Sequence, residues 1–436
     1  MTRRPLIGVG AVAVTVTILF AIVLGPLGGQ RPAGADGPAT SSAPTAQTGD
    51  AFGPAPTAPT NPGSGAGNGS DPGSSPAGPT PEPTPRPQPK HEVFGFLPYW
   101  TMVRGISDHL AKTKLTTLGL FSVTHTKSGK INTGQLGYQR ITGPIGERII
   151  AEAHHRKVQV QLAYTVFGKA RNRTFFTSRD LQDKTIASLV ALADRIGVDG
   201  INVDVERIDA DLTAPYGDFV GRLREALRAK VPKARVSVAV TSGPVGGGMA
   251  AAAAKAGADR IFMMAYDYHY ASSQPGAESP MDRRDGANPD LVWSLDLFES
   301  LGVPVERTIL GLPLYGMRWR VEGPEIGAAS LGDGAIWVPG ENPKFLANPP
   351  QPPQLDPIEV VEVYAVPPTL KPSPGDTRAA AGWQAIYVDS AETLKPKMML
   401  ADERGLAGAG FWAIGYERGQ PGYTDLIKTF AAGKLK

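Results

Sequence analysis

The sequence predicts an α/β fold, a (β/α)8 TIM barrel with a small β-rich insertion between strand 7 and helix 7. From residue 91 onward, short apolar segments alternate with amphipathic helical segments, which is typical of a parallel α/β architecture. Eight such strands favour a closed barrel over an open sheet, and no glycine-rich phosphate loop follows the first strand. The predicted strands cover residues 94–100, 118–123, 158–164, 200–206, 235–241, 260–267, 308–315 and 407–414.

Helical patterns fall between most of these strands and after the last one. They cover residues 141–155, 180–196, 216–231, 249–256, 290–301, 391–403 and 424–431. The long interval between strand 7 and the helix at residue 391 contains two strand-like runs, 358–366 and 383–388. Since a structureless loop of that length is unusual in a compact domain, the interval predicts a small β-rich lobe at about residues 317–388.

Residues 31–90 have a different composition from the barrel region. They contain fifteen of the chain's 41 prolines, abundant Gly, Ser and Ala, and one aromatic residue, Phe52. Such a segment has too little apolar surface to offset the entropy of ordering it. We therefore predict a disordered linker here, followed by the folded domain at residues 91–436.

Residues 1–30 predict a membrane anchor or a signal peptide. Arg3 and Arg4 precede an apolar run at residues 6–24, whose length lies between those of a signal-peptide core and a membrane-spanning helix. The arginines place the N-terminal end of this run in the cytoplasm. A small-residue cleavage site at 33–35 lies far from the run, which favours an uncleaved membrane anchor. Either way, the rest of the chain is expected at the cell surface or in the extracellular space.

Charge and cysteine content exclude several functional classes. The net charge is only +3 and the basic residues form no run, which argues against nucleic-acid binding. The chain has no cysteine, so disulfides and thiol catalysis are excluded. His125, His154 and His155 show no metal-ligand spacing and are interpreted as solvated or capping residues. We expect no metal or other cofactor, and a monomeric protein.

The fourth strand carries the clearest signal for chemistry. Alternation along residues 200–206 places three branched apolar side chains on one face and Asn202, Asp204 and Glu206 on the other. The polar face must point into the barrel, where carboxylates are costly unless they are hydrogen-bonded or catalytic. Glu206 ends the strand, on the barrel face that carries active sites. The alternative, a half-exposed edge strand, conflicts with its central position in the series.

The spacing of these acids bears on mechanism. Asp204 and Glu206 share one face, with Cα atoms about 6.5–7 Å apart given the rise per strand residue. Ordinary glycosidases place two carboxylates on opposite sides of the scissile bond. When two acids lie on the same side of the bond, one of them can act as the proton donor. The other is then poorly placed to attack the opposite side as a nucleophile. The substrate itself could then supply the nucleophile.

Four segments resemble glycoside hydrolase family 18, the chitinase-like barrels. Residues 199–206, Asp-Gly-Ile-Asn-Val-Asp-Val-Glu, resemble its Asp-Gly-x-Asp-x-Asp-x-Glu signature. Residues 264–269, 311–316 and 410–412 resemble elements of its sixth, seventh and eighth strands, in the right order. The predicted insertion also lies where the family has its extra lobe. The resemblance covers about residues 92–432 and implies a catalytic barrel of this family.

The resemblance implies retaining, substrate-assisted hydrolysis of β-linked N-acetylglucosamine-containing glycans. Glu206 would protonate the glycosidic oxygen and later activate water. Asp204 would accept a hydrogen bond from the acetamido N–H, while Tyr266 donates to the acetamido oxygen that attacks the anomeric carbon. Asp267 would hold the same sugar or tune the acids. Trp412 would form the apolar floor beneath the ring.

Asn202 departs from the family pattern, which usually has an aspartate there. An amide cannot share a proton with Asp204, so Asp204 is expected to ionise more readily than beside another carboxylate. The asparagine resembles two subgroups, the spore-germination peptidoglycan glucosaminidases and the lysosomal chitobiase-type enzymes. It therefore favours peptidoglycan or short chitin oligosaccharides over crystalline chitin as the binding partner, and Asn202 is counted among the substrate-binding residues.

Aromatic residues at strand ends leave two interpretations open. Tyr99 and Trp100 after strand 1, and Tyr315 and Trp319 near strand 7, can serve as sugar platforms or pack in the core. Tyr99 and Tyr315 are taken as candidate substrate-binding residues.

Two non-enzymatic functions compete with hydrolysis. A catalytically silent glycan-binding lectin on the same barrel is the main alternative, and the retained Glu206, Asp204 and Tyr266 argue against it. A structural protein that spans the cell wall is supported by the anchor and linker alone.

Overall fold

The computed structural model describes residues 91–368 and 382–435. The predictions for residues 1–30 and 31–90 lie outside the described residues. The strands are β1 (Glu92–Pro98), β2 (Thr117–Val123), β3 (Gln159–Phe167), β4 (Gly200–Glu206), β5 (Arg235–Thr241), β6 (Arg260–Met264), β7 (Thr308–Pro313), β8 (Gly316–Val321), β9 (Ala335–Trp337), β10 (Gln354–Asp356), β11 (Val361–Val366), β12 (Trp383–Val388) and β13 (Gly408–Trp412).

Eight of these strands form a closed parallel barrel in the order β1-β13-β7-β6-β5-β4-β3-β2. The barrel closes through β1 and β13, with Glu92 opposite Gly408 and Gly95 opposite Phe411. On the other side of β1, Phe94 pairs with Thr117 of β2. The predicted (β/α)8 barrel is therefore confirmed, and all eight predicted strands are present with ends shifted by a few residues.

Helices cover the outside of the barrel. They are α1 (Ile106–Lys112), α2 (Leu136–Ile141), α3 (Pro144–His155), α4 (Lys169–Phe176), α5 (Arg179–Ile196), α6 (Thr213–Lys230), α7 (Pro244–Lys255), α8 (Leu291–Ser300), α9 (Pro343–Ala347), α10 (Ala391–Glu403) and α11 (Pro421–Ala431). The seven predicted helices correspond to α3, α5, α6, α7, α8, α10 and α11. The short helices α1, α2, α4 and α9 were missed because helices of five to eight residues show little periodicity. Within the described ranges, no helix combines the length and apolar character needed to cross a membrane.

The predicted insertion is a five-stranded antiparallel sheet in the order β10-β11-β12-β8-β9. Its two predicted strands correspond to β11 and β12, whereas β8, β9 and β10 were missed. One face of the sheet has its own apolar core, which includes the fully buried Trp319 together with Val363 and Tyr387. Trp319 is thus a packing residue of the insertion, and its interpretation as a sugar platform is wrong.

The barrel interior is aromatic. Phe94, Phe96 and Phe262 lie inside it, with ring centroids 4.9 to 5.6 Å apart. Glycines on the neighbouring strands make room for these rings, because a Cβ at Gly311 or Gly410 would lie 2.3 Å from the ring of Phe262. The phenylalanines therefore fill the space that branched aliphatic layers usually fill in such barrels.

We predict that Gly410→Ala destabilises the protein. The added methyl group would meet Phe262 at 2.3 Å and the backbone oxygen of Phe94 at 2.9 Å, and overpacking of this kind costs about 1–3 kcal/mol. Gly248→Ala in α7 is the matched control, since its Cβ would meet a methyl group of Thr213 at an ordinary 3.5 Å. There the better helix former should add up to ~1 kcal/mol. Urea unfolding of both variants measures the difference, and equal midpoints would contradict the packing argument.

Candidate active site

The inward face of β4 brings three polar side chains into the barrel. Asn202 is fully buried and Asp204 is 4% exposed, while Glu206 at the strand end is partly accessible. The alternate residues of β4 belong to the apolar layer between strands and helices. The predicted alternation is therefore present, and the strand is paired on both sides, with β3 and β5.

The end of β4 is held by the short helix α4. The backbone oxygen of Glu206 accepts hydrogen bonds from Nδ2 of Asn172 at 2.5 Å and from the N–H of Gly168 at 3.3 Å. Arg207 then adopts a left-handed conformation with φ 61°, which turns the chain out of the strand direction. Asn172 is fully buried and fixes the main chain of the predicted acid. Sequence reasoning missed it, because a single asparagine in a basic segment carries no signal.

Burial changes the ionisation of both acids on this face. The pKa of Glu206 is raised to about 7, mainly by burial and then by the charge of Asp267, while Arg207 acts in the opposite direction. The pKa of Asp204 is raised well above its ordinary value by burial and by Glu206. The two carboxyl groups therefore titrate together. A carboxyl group that keeps its proton to about pH 7 suits general acid catalysis.

Asn202 has a structural position and does not reach the cleft. Its Nδ2 donates to the hydroxyl of Ser237 at 2.7 Å, and that hydroxyl donates to Oε1 of Gln161 at 2.5 Å. This chain of hydrogen bonds links β3, β4 and β5 inside the barrel. Its place among the substrate-binding residues is thus corrected: a fully buried amide cannot contact a sugar. Beside this neutral amide, the pKa of Asp204 is still raised by burial and by Glu206.

Tyr266, Asp267 and Tyr315 form a second cluster at the ends of β6 and β7. Tyr266 is 8% exposed and packs edge-on against Tyr315, with ring centroids 6.3 Å apart. The Tyr315 hydroxyl donates to the carboxylate of Asp267, which sits in the left-handed region at φ 59°. Burial raises the pKa of Asp267 and the Tyr315 hydrogen bond opposes that shift. Tyr315 is 4% exposed and is the hydrogen-bond partner of Asp267; its role in substrate binding stays a prediction.

Trp412 lies at the end of β13 and packs against other aromatic rings. Its ring centroid lies 4.7 Å from that of Phe121 and 5.8 Å from that of Phe96. Trp100 stands beside it at 6.3 Å and is 42% exposed. Its indole N–H donates to the hydroxyl of Tyr416 at 3.2 Å. Of the strand-end aromatics considered from sequence, Trp100 is the one that presents its ring to solvent next to Trp412.

Two further residues singled out from the sequence are Tyr99 and His125. Tyr99 packs against the core between strands and helices, and a Cβ at Gly137 of α2 would lie 3.2 Å from its ring. Tyr99 is nevertheless partly accessible, with its ring centroid 5.0 Å from that of Trp100, so its role as a substrate-binding residue stays a prediction. His125 is buried, with Nδ1 2.6 Å from the Tyr164 hydroxyl. Burial and then Arg171 lower its pKa to about 4, so it is neutral and not a solvated residue.

A cavity of about 550 Å³ lies beside Trp100. Barrel residues Tyr416 and Arg418 line one side, and Glu341 of the insertion contributes to the lining. An aromatic ring, a cation and a carboxylate thus border one opening. Within the described parts of the chain, no group of three or more His, Asp or Glu residues is placed to hold a metal ion.

A closed barrel with paired acids at the C-terminal end of one strand, beside exposed aromatic rings, is an arrangement that suits a glycosidase. The sequence profile of Glycosyl hydrolases family 18 matches residues 92–417. The chain belongs to this family, whose members hydrolyse glycosidic bonds.

Several proteins are similar to this chain in sequence or in fold. The putative sporulation-specific glycosylase YdhD of Bacillus subtilis (strain 168) is 29% identical over 131 residues, 28% of each protein, so the match spans under a third of YdhD. The spore cortex-lytic enzyme SleL of Bacillus cereus superposes with a TM-score of 0.60 at 16% identity, covering 79% of this chain and 75% of SleL. The immunomodulatory active chitinase of Trichuris suis gives 0.63 at 18% identity, covering 75% and 93%. The structural similarities establish the barrel; the roles of individual residues remain predictions.

We predict that hydrolysis falls as pH rises through about 7, because Glu206 must carry a proton to act as the acid. Arg207→Gln removes the charge that lowers the pKa of Glu206, so the alkaline limb of kcat/KM should move to higher pH. Arg148→Gln on α3 is the control, an exposed arginine whose partner is Glu152. If the alkaline limb of Arg207→Gln stays where wild type has it, a group other than Glu206 controls that limb.

Proposed function

We propose that this protein cleaves β-linked N-acetylglucosamine-containing glycans by a retaining, substrate-assisted mechanism. The observation that carries this proposal is that Asp204 and Glu206 share the inward face of β4 and both have a raised pKa. Acids on one face cannot flank a glycosidic bond from opposite sides, so the attacking atom must come from elsewhere. The acetamido oxygen of an N-acetylated sugar is suitably placed for that attack.

Each side chain then has a task in this mechanism. Glu206 donates its proton to the departing glycosidic oxygen and takes one from water in the second step. Oδ1 of Asp204 has no hydrogen-bond partner among the described residues, and an acetamido N–H would supply one after a small rotation of the carboxyl group. Tyr266 is a hydroxyl donor for the acetamido oxygen. Trp412 provides an apolar surface for the sugar ring, and Asp267 faces the same space.

Peptidoglycan strands are the substrate class that we favour. The names of YdhD and SleL connect those proteins to sporulation and to the spore cortex. The cavity beside Trp100 carries Arg418 and Glu341 at its border, which suits a glycan with charged substituents better than a neutral one. Chitin oligosaccharides share the N-acetylglucosamine unit and should be cleaved as well, more slowly.

We predict that Glu206→Gln reduces the release of reducing ends by about 10²–10⁴-fold, since general acid catalysis contributes that much. Peptidoglycan, chitin oligosaccharides and their de-N-acetylated forms are compared at equal sugar concentration. Wild type should fail on the de-N-acetylated forms, because these lack the attacking oxygen.

Glu306→Gln, at an exposed acid just before β7, is the matched control and should retain wild-type activity. If wild type binds these glycans without cleaving them, the protein is a lectin and the enzymatic proposal fails. If it cleaves the de-N-acetylated chains equally well, the substrate-assisted step is wrong.

We further propose that the protein is exported and held at the cell surface by residues 6–24. The 60 linker residues would reach about 45 Å if they are flexible and on the order of 190 Å if they are extended as polyproline. Such a tether would place the barrel within the cell wall. We predict that fractionated cells hold the protein in the membrane with an intact N-terminus. Recovery from the medium with an N-terminus after residue 35 would contradict the anchor.

A further inference from the structure

Glu278 is a buried acid that the proposed mechanism does not use. The residue is 2% exposed, and neither oxygen of its carboxyl group has a hydrogen-bond partner within the described ranges. An ionised carboxylate in such surroundings is costly unless an opposite charge or several donors face it. The burial of the Glu278 carboxyl group therefore needs a physical explanation.

The main chain around Glu278 is fixed from two sides. Its backbone oxygen accepts from the N–H of Tyr268 at 3.1 Å, and the Ser279 hydroxyl donates to the backbone oxygen of Ala265 at 2.6 Å. These contacts attach the segment to the end of β6. On the other side, the N–H of Ala277 donates to the buried carboxylate of Glu359 at 2.6 Å, just before β11 of the insertion. The direction of the Glu278 side chain is thus set by the barrel and the insertion together.

The groups that face Glu278 are acidic or phenolic. Asp267 at the end of β6 is the acid whose charge acts most strongly on Glu278, and Asp267 also accepts a hydrogen bond from the Tyr315 hydroxyl. Asp389, which follows β12, adds a weaker negative charge that Lys397 compensates at 2.6 and 2.8 Å. Burial first, and the charge of Asp267 second, raise the pKa of Glu278 well above its ordinary value. Burial and the neighbouring charge therefore both favour the protonated form of Glu278.

We propose that Glu278 is a positioning residue of the active site, whose protonated carboxyl group donates a hydrogen bond to Asp267 and, with Tyr315, holds that carboxylate beside Glu206. The side chains are close enough to interact, and a small rotation of the unpartnered carboxyl group completes the bond. This inference deepens the proposed function and rests on it for its effect on catalysis.

Glu278 influences the protonation of Glu206 indirectly, through the charge of Asp267. A donor on Glu278 and the Tyr315 hydroxyl both favour the ionised form of Asp267. The negative charge of Asp267 in turn helps Glu206 to keep its proton. Without the Glu278 donor, Asp267 would take up a proton more easily, and Glu206 would lose its own proton at lower pH.

Two variants of Glu278 in the full chain test this inference through the pH profile of kcat/KM. Glu278→Gln keeps a neutral donor and should leave the alkaline limb where wild type has it. Glu278→Leu removes the donor and should move the limb to lower pH by on the order of one unit. If Gln shifts the limb as far as Leu does, wild-type Glu278 acts as an anion and the proposal is wrong. If Leu lowers kcat without moving the limb, the role is only structural and the proposal is equally wrong.

Thermal unfolding of Glu278→Gln and wild type provides a readout that does not need activity. A raised pKa in the folded state means that the contribution of Glu278 to stability is fully present below its unfolded pKa of about 4.3 and is lost as pH rises through the folded pKa. Glutamine does not titrate. The Tm of Glu278→Gln relative to wild type should therefore rise as the pH increases from about 4 and should level off above the folded pKa of Glu278. A constant difference would overturn the inference even in an active enzyme. Conversely, a rising difference in a protein that cleaves no glycan would refute the proposed function alone.

Discussion

The closure of the barrel is the constraint on which the rest of the site depends. In a closed sheet, alternate residues of every strand must point inside, so the sequence of β4 gives its polar side chains no route to solvent except at the strand end. Asn202 is consequently locked into a hydrogen-bond chain with Ser237, and Asp204 is almost completely buried. Only Glu206 reaches the mouth. The raised pKa of each acid is thus a direct result of topology, because burial is its largest cause.

Aromatic side chains fill the interior of the barrel below the acids. Phe94, Phe96 and Phe262 fill the barrel with contacting rings, and Phe96 extends that packing to Trp412. Glycines on the adjacent strands are required for the rings to fit. A looser interior would admit water, and water would stabilise the charged forms of the acids and return each pKa toward its ordinary value. Packing far below the cleft therefore contributes to proton transfer at its surface.

The features that the sequence predicts well are those with a local pattern. The eight strands and seven longer helices follow from hydrophobic periodicity, and the acids of β4 follow from strand alternation. Tyr266, Asp267 and Trp412 were implied only by the resemblance to glycoside hydrolase family 18, and the structure places them at or just after strand ends. The features that were missed depend on contacts between distant residues. Asn172 lies on a helix too short to predict, and the orientation of Tyr99 is set by its packing against α2.

The insertion lines part of the cleft, and it also helps to hold an active-site segment in place. Its residues Asp356 and Glu359 are bound by the segment that follows β6, through the guanidinium group of Arg284 and the N–H of Ala277. That segment carries Glu278. Its carboxyl group interacts with Asp267, and the charge of Asp267 in turn acts on Glu206. A loop with little regular structure would not by itself hold a buried carboxyl group in one orientation, because ordering each residue costs about 1–2 kcal/mol of backbone entropy. The hydrogen bonds to the insertion offset that cost, so a lobe outside the barrel helps to set the electrostatics of the acid inside it.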